Sequence, residues 1–101
     1  MSEIVSLLAN NSDYCVRGLY RIESEEWFLR QLAVWLKEHP EQNEEYHFHL
    51  DEFLAALQLA PLAEAARFLA SDMFIGEIHI AEYSSLTSDI REKLQKLEDA
   101  D

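Results

Sequence analysis

Glycine, proline and cysteine are scarce in this chain, which has two glycines, two prolines and one cysteine among 101 residues. Tight hairpins depend on glycine for positive φ, so the scarcity argues against a sheet-rich fold. Cys15 has no second cysteine to pair with, which excludes a disulfide scaffold. No apolar run approaches the roughly 20 residues of a membrane helix. Abundant alanine, leucine and glutamate favour helices instead.

Positive charge is also scarce, because 8 lysines and arginines face 20 aspartates and glutamates and the net charge is −12. Such an excess repels nucleic acid and anionic lipid, so we expect no direct nucleic-acid binding and no membrane binding. A basic protein partner is favoured instead. Residues 1–15 have no basic region typical of a signal peptide, which predicts a cytoplasmic protein. The simplest alternative is that the acids only keep the chain soluble.

Five segments have the spacing of helices. The clearest is 24–39, where Ser24 is a suitable N-cap, large apolar residues recur at helical intervals and Pro40 ends the pattern. In the last segment, acids precede lysines by four residues, as in Asp89 and Lys93, which stabilises a helix. The other four segments that we predict as helices are 2–9, 43–57, 61–73 and 86–98.

Two further segments leave the fold class open. Residues 14–22 fit a helix or a strand, with a slight preference for a helix, whereas 76–83 is the best strand candidate because apolar and polar residues alternate. We therefore predict an all-α fold in which 1–101 form a single helical domain, a compact bundle of about five short helices. The alternative is an α+β fold with a small sheet from 14–22 and 76–83. No residue pattern identifies a family.

Carboxylates concentrate in the segment that runs from the end of the second predicted helix through the third, since residues 38–66 contain no lysine or arginine. A one-signed field of this kind accelerates association with a basic partner, and exposed aromatic residues would add affinity. We predict stoichiometric protein binding of the inhibitor, immunity or chaperone type. The predicted partner-binding residues are Glu38, Glu41, Glu44, Glu45, Tyr46, Phe48, Asp51 and Glu52.

Two other interpretations of the acidic segment stay open. Carboxylates can stand in for phosphates, so the chain could act as a nucleic-acid-mimicking inhibitor of a nuclease. Alternatively, His47 and His49 could serve a metal-responsive regulator, but side chains two residues apart on a helix diverge. We therefore expect no metal ligands and no cofactor. The simplest interpretation of the segment is a helix face exposed to solvent, with no partner.

Catalysis has little support in the sequence. Cys15 could act as a nucleophile with a histidine and an acid, but a lone cysteine in an apolar context is usually a packing residue. No phosphate-binding glycine loop and no hydrolase or metalloprotease motif occurs. We therefore expect a binding protein rather than an enzyme. The aromatic helix at 24–39 could leave an uncovered face, which would form a groove for a partner or a homodimer face.

Overall fold

The computed structural model describes residues 3–10, 15–62 and 72–100, and these residues form an α+β fold. The predicted all-α bundle of five helices is therefore wrong. The described residues contain a four-stranded mixed sheet and three α-helices. In chain order the elements are β1 Glu3–Asn10, β2 Cys15–Ile22, α1 Glu25–Glu38, a 3-10 helix at Pro40–Asn43, α2 Leu50–Ala56, β3 Phe74–Glu82, β4 Ser85–Leu86 and α3 Ser88–Ala100.

The sheet has the strand order β2-β1-β3-β4, with β1 antiparallel to β2 and parallel to β3. The alternative prediction of an α+β fold therefore gives the correct fold class, and most of residues 14–22 and 76–83 lie in strands. These two strands flank β1 instead of pairing with each other. The helix predicted at 2–9 is wrong, since that segment is the central strand, and the slight preference for a helix at 14–22 is wrong as well.

The sequence of β1 resembles a helix because both of its faces are buried. Val5 and Leu7 lie on one face and Ile4 and Leu8 on the other, and none of the four is more than 8% exposed. A strand that is buried on one face only shows alternating polarity, whereas a strand buried on both faces shows a continuous apolar run. The run therefore carries no period of two that could have identified it as a strand.

A bulge near the start of β3 explains the position of one of the two glycines. Ile4 is opposite Phe74 and Val5 is opposite Gly76, so Ile75 is an extra residue without a partner in β1. Gly76 has φ +118°, a conformation that side chains with a Cβ rarely adopt. Ile75 is 42% exposed, so the bulge turns this side chain away from the core.

The main core lies between one face of the sheet and the helices. The predicted helix at 24–39 is confirmed as α1: Trp27 N donates to the Ser24 Oγ cap at 3.0 Å, and Phe28 and Leu32 are fully buried. The predicted helix at 86–98 is confirmed as α3, which buries Ile90. The predicted helix at 61–73 lies for the most part outside the described residues.

Within residues 3–10, 15–62 and 72–100, no helix has the length and apolar character needed to cross a bilayer.

Candidate functional site

The acidic segment does not form the predicted helix from 43 to 57. After α1 the chain forms the 3-10 helix, continues irregularly through residues 44–49, and becomes α-helical again only at Leu50. Tyr46 has φ +65°, which is incompatible with a right-handed α-helix. The apolar residues of this segment are therefore helical only from Leu50 onward. The shape of the connection before Leu50 could not be predicted from the spacing of its side chains.

The structure places the predicted binding residues in two different environments. Tyr46 is 68% exposed, whereas Phe48 is only 3% exposed and packs against Phe53 with 6.4 Å between ring centroids. The expectation that Phe48 is an exposed docking residue is therefore wrong, and Phe48 instead anchors the connection to the core. The predicted acids are all exposed: Glu38, Glu41, Glu44, Glu45, Asp51 and Glu52.

A buried glutamine joins the two ends of the connection. Gln42 is only 5% exposed. Its Oε1 accepts hydrogen bonds from Trp35 Nε1 at 3.0 Å and from the backbone N of His49 at 3.2 Å. Its Nε2 lies 3.5 Å from Glu52 Oε2. One side chain therefore connects the end of α1 to the start of α2, which fixes the path of the acidic segment between them.

The turn between β3 and β4 holds the middle of the connection. The backbone N of Tyr46 donates to Ser85 Oγ at 2.8 Å, and the backbone N of Phe48 donates to the Ser84 carbonyl at 2.9 Å. Like Tyr46, Tyr83 and Ser84 have positive φ, at 54° and 62°. A left-handed conformation costs a non-glycine residue about 1–2 kcal/mol, and such residues concentrate at functional sites.

These contacts bring two tyrosines and several acids onto one surface. We call this the acid–tyrosine surface and define it by Glu44, Glu45, Tyr46, Glu82 and Tyr83, all of which are exposed. Tyr83 is 49% exposed. Sequence reasoning missed the two residues from the β3–β4 turn, because a two-residue hairpin is normally signalled by glycine or asparagine and this turn has neither.

Of the two histidines of the segment, His49 lies close to an acid and His47 is exposed to solvent. His49 Nδ1 is 3.9 Å from Glu52 Oε2. No group of three or more metal-binding side chains occurs within the described part of the chain. Cys15 lies in β2, but its side chain is outside the part that the structure describes, so the nucleophile hypothesis stays a prediction.

Comparison with known proteins assigns neither a family nor a function to the chain. Neither a family model, nor a curated protein, nor a solved structure matches the chain. The class that the structure defines is therefore an α+β protein with an exposed acid–tyrosine surface, and arguments about its function depend on its own residues.

Proposed function

We propose that this protein binds a basic protein partner stoichiometrically, as an inhibitor, an immunity protein or a chaperone, through the acid–tyrosine surface. The single observation that carries the proposal is that Tyr46 and Tyr83, both largely exposed, project from strained backbone between exposed carboxylates. Tyrosine is enriched among the residues that dominate binding energy at protein interfaces. We further propose that the protein acts in the cytoplasm, which agrees with its use of a single cysteine.

The charges support a basic partner. Of the six predicted acids between residues 38 and 52, only Glu52 lies near a nitrogen of a basic side chain within the described residues, at 3.9 Å from Nδ1 of the exposed His49. Carboxylates without intramolecular partners create a negative field in solvent, which steers a positive partner toward the surface. Rim charges of this kind mainly raise the association rate, and added salt weakens their effect.

The rigidity of the surface supports binding rather than mere solubility. Solubilising acids need no fixed positions, yet here the connection is attached through Phe48, through Gln42 and through two backbone hydrogen bonds to the β3–β4 turn. A surface that is ordered before binding loses less conformational entropy when the complex forms. The left-handed residues cost free energy in the folded protein, and a fixed shape that fits a partner would account for that cost.

The test compares partner capture by matched variants. The tagged wild-type chain is used to capture proteins at about 0.05 M and about 0.5 M salt, and any specific partner is purified for stopped-flow kinetics. We expect a basic partner, a weaker affinity by about 2 kcal/mol or more for Tyr46→Ala, and an association rate about tenfold lower for Glu44→Gln/Glu45→Gln.

The control variant removes two charges elsewhere. Glu23→Gln/Glu92→Gln lowers the negative charge by the same amount at exposed positions outside the acid–tyrosine surface. We expect its association rate to stay close to that of the wild type. The proposal fails if the partner is acidic, if salt does not change the rate, or if the two double variants slow association equally.

A further inference from the structure

A groove of about 800 Å³ runs between α1 and α3, and its lining includes Asn43, which directly precedes Glu44 of the acid–tyrosine surface. On its α1 side are Arg30, Ala33, Val34 and Lys37, which follow the i, i+3, i+4, i+7 spacing of one helix face. Val34 is 48% exposed, an unusual fraction for a large aliphatic side chain. The α1 wall is therefore apolar at its centre and cationic at both ends.

The α3 side of the groove is also apolar at its centre, but it has a cation at one end and an acid at the other. Its wall contains Arg91, Leu94, Leu97 and Glu98, and the two leucines are only partly buried against the core. Arg91 donates one hydrogen bond to the Asn43 side chain at 3.1 Å and one to the Asn43 carbonyl at 3.0 Å. Both acceptors are neutral, so these contacts position the Arg91 guanidinium without cancelling its charge.

The charge of the groove is opposite to that of the whole chain. Three cations and one acid line it, although the chain has 8 cations and 20 acids. Arg30 is 3.0 Å from Glu26 on α1, and this exposed pair screens only one end of the groove. Lys37 is exposed in the last turn of α1. The groove therefore favours a ligand with carboxylates along an apolar face.

We propose that the groove between α1 and α3 binds an amphipathic helix of a partner protein, with leucine-like side chains on its apolar face and carboxylates along the edges. Two helical walls with apolar centres present the shape that accepts a third helix, which anchors through residues at i, i+3, i+4 and i+7. A second copy of this chain docked symmetrically would bring the same groove against itself, and the excess of cations over acids in each copy opposes that contact.

The test uses a synthetic fluorescent peptide of about 15 residues, with leucines at helical spacing flanked by glutamates, and a second peptide in which lysines replace the glutamates. Fluorescence anisotropy with the full chain measures both affinities. We expect the glutamate peptide to bind at least about tenfold more tightly than the lysine peptide. We also expect Val34→Asp and Lys37→Glu each to weaken the glutamate peptide by about tenfold.

The matched control is Lys96→Glu, which changes the net charge as Lys37→Glu does. The Lys96 side chain is 75% exposed on α3 and does not line the groove. We expect this variant to bind the glutamate peptide within about twofold of the wild type. The proposal is overturned if Lys96→Glu and Lys37→Glu weaken binding equally, if the lysine peptide binds as tightly, or if neither peptide binds. It is also overturned if sedimentation shows a dimer that Val34→Asp dissociates, since a second copy would then occupy the groove.

Discussion

The acid–tyrosine surface and the groove between α1 and α3 differ in charge and in the way the structure holds them. The first is negative, and its central residues lie in an irregular connection and a tight turn. The second is locally positive and lies on two regular helices joined by exposed ion pairs, such as Lys93 Nζ to Glu25 Oε1 at 3.1 Å. A helix maintains its own backbone hydrogen bonds, whereas an irregular connection depends on its attachments.

This difference shows where single substitutions matter. Removing one attachment of the connection, such as Phe48 or Gln42, affects the positions of the Glu44 and Glu45 charges on the acid–tyrosine surface. Removing an exposed contact between α1 and α3 leaves both helices in place, because buried residues such as Phe28 and Ile90 hold them against the sheet. The following predictions compare the two regions in order of decreasing effect.

The largest effect is expected for Phe48→Ala. This change removes a ring that is 3% exposed and leaves a cavity beside Phe53, so we expect a loss of about 3–5 kcal/mol in the free energy of unfolding. Urea denaturation followed by tryptophan fluorescence measures it. Tyr46→Ala is the control, with an expected change within about 0.5 kcal/mol because the ring is exposed. Similar losses in the two variants would contradict the anchoring role of Phe48.

A smaller loss is expected for Gln42→Ala. The Trp35 indole N–H and the backbone N–H of His49 would lose their acceptor, and we expect a cost of about 1–3 kcal/mol. Gln95→Ala is the matched change at the groove, where the exposed amide donates to Asp99 Oδ1 at 3.1 Å. We expect that variant to lie within about 0.5 kcal/mol of the wild type. An equal cost for both glutamines would remove the proposed contrast between the regions.

Tyr46→Gly is expected to stabilise the fold while it removes a proposed binding residue. Glycine adopts φ +65° without the steric cost that tyrosine has in this conformation. Glycine also raises the entropy of the unfolded chain, which offsets part of this benefit, so we expect a net stabilisation of up to about 1 kcal/mol. Gln58→Gly, at φ 58° outside the acid–tyrosine surface, should give a similar gain. Partner affinity should fall only for Tyr46→Gly. A loss of stability in both variants would show that neither residue is strained.

The smallest effect is expected for Lys93→Met, at or below about 1 kcal/mol, because the ion pair with Glu25 is exposed and screened by solvent. The hydrogen bond that Lys93 Nζ donates to Glu25 Oε1, opposed in part by desolvation, raises the pKa of Lys93 above its ordinary value of 10.5. Because the pKa of Lys93 is raised in the folded state, the ion pair contributes its full stabilisation of the fold below pH 10.5. That stabilisation is lost as the pH rises through the raised pKa.

Alkaline unfolding measures this contribution. The difference in stability between the wild type and Lys93→Met should be constant at neutral pH and disappear at high pH. Burial also raises the pKa of Tyr20, which adds an alkaline loss of stability that both proteins share and that cancels in the comparison. A difference that instead grew above pH 10.5 would contradict the assigned sign.

The sequence predicted those parts of the fold that have local signals. Ser24 and Pro40 mark the ends of α1, and the Lys93 and Lys96 side chains of α3 lie 3.6 Å from Asp89 and 3.8 Å from Glu92, as the spacing of four residues indicates. The exposure of the acids also followed from their charge, whereas the exposure of Tyr46 did not, because the same reasoning placed the buried Phe48 on the surface. Glu82 and Tyr83 could not be found in this way, because they reach the site only through pairing of β3 with β4.

The sequence by itself determined the capped helices, the excess of negative charge and its concentration between residues 38 and 52, since each depends on neighbours within a few positions. Only the tertiary structure decided that residues 3–10 are the central strand, because burial on both faces removes the alternation that identifies strands. It also decided that Phe48 turns inward and Tyr46 outward. Contacts with a turn nearly forty positions away in the chain fix that choice, and no local pattern encodes contacts at such a separation.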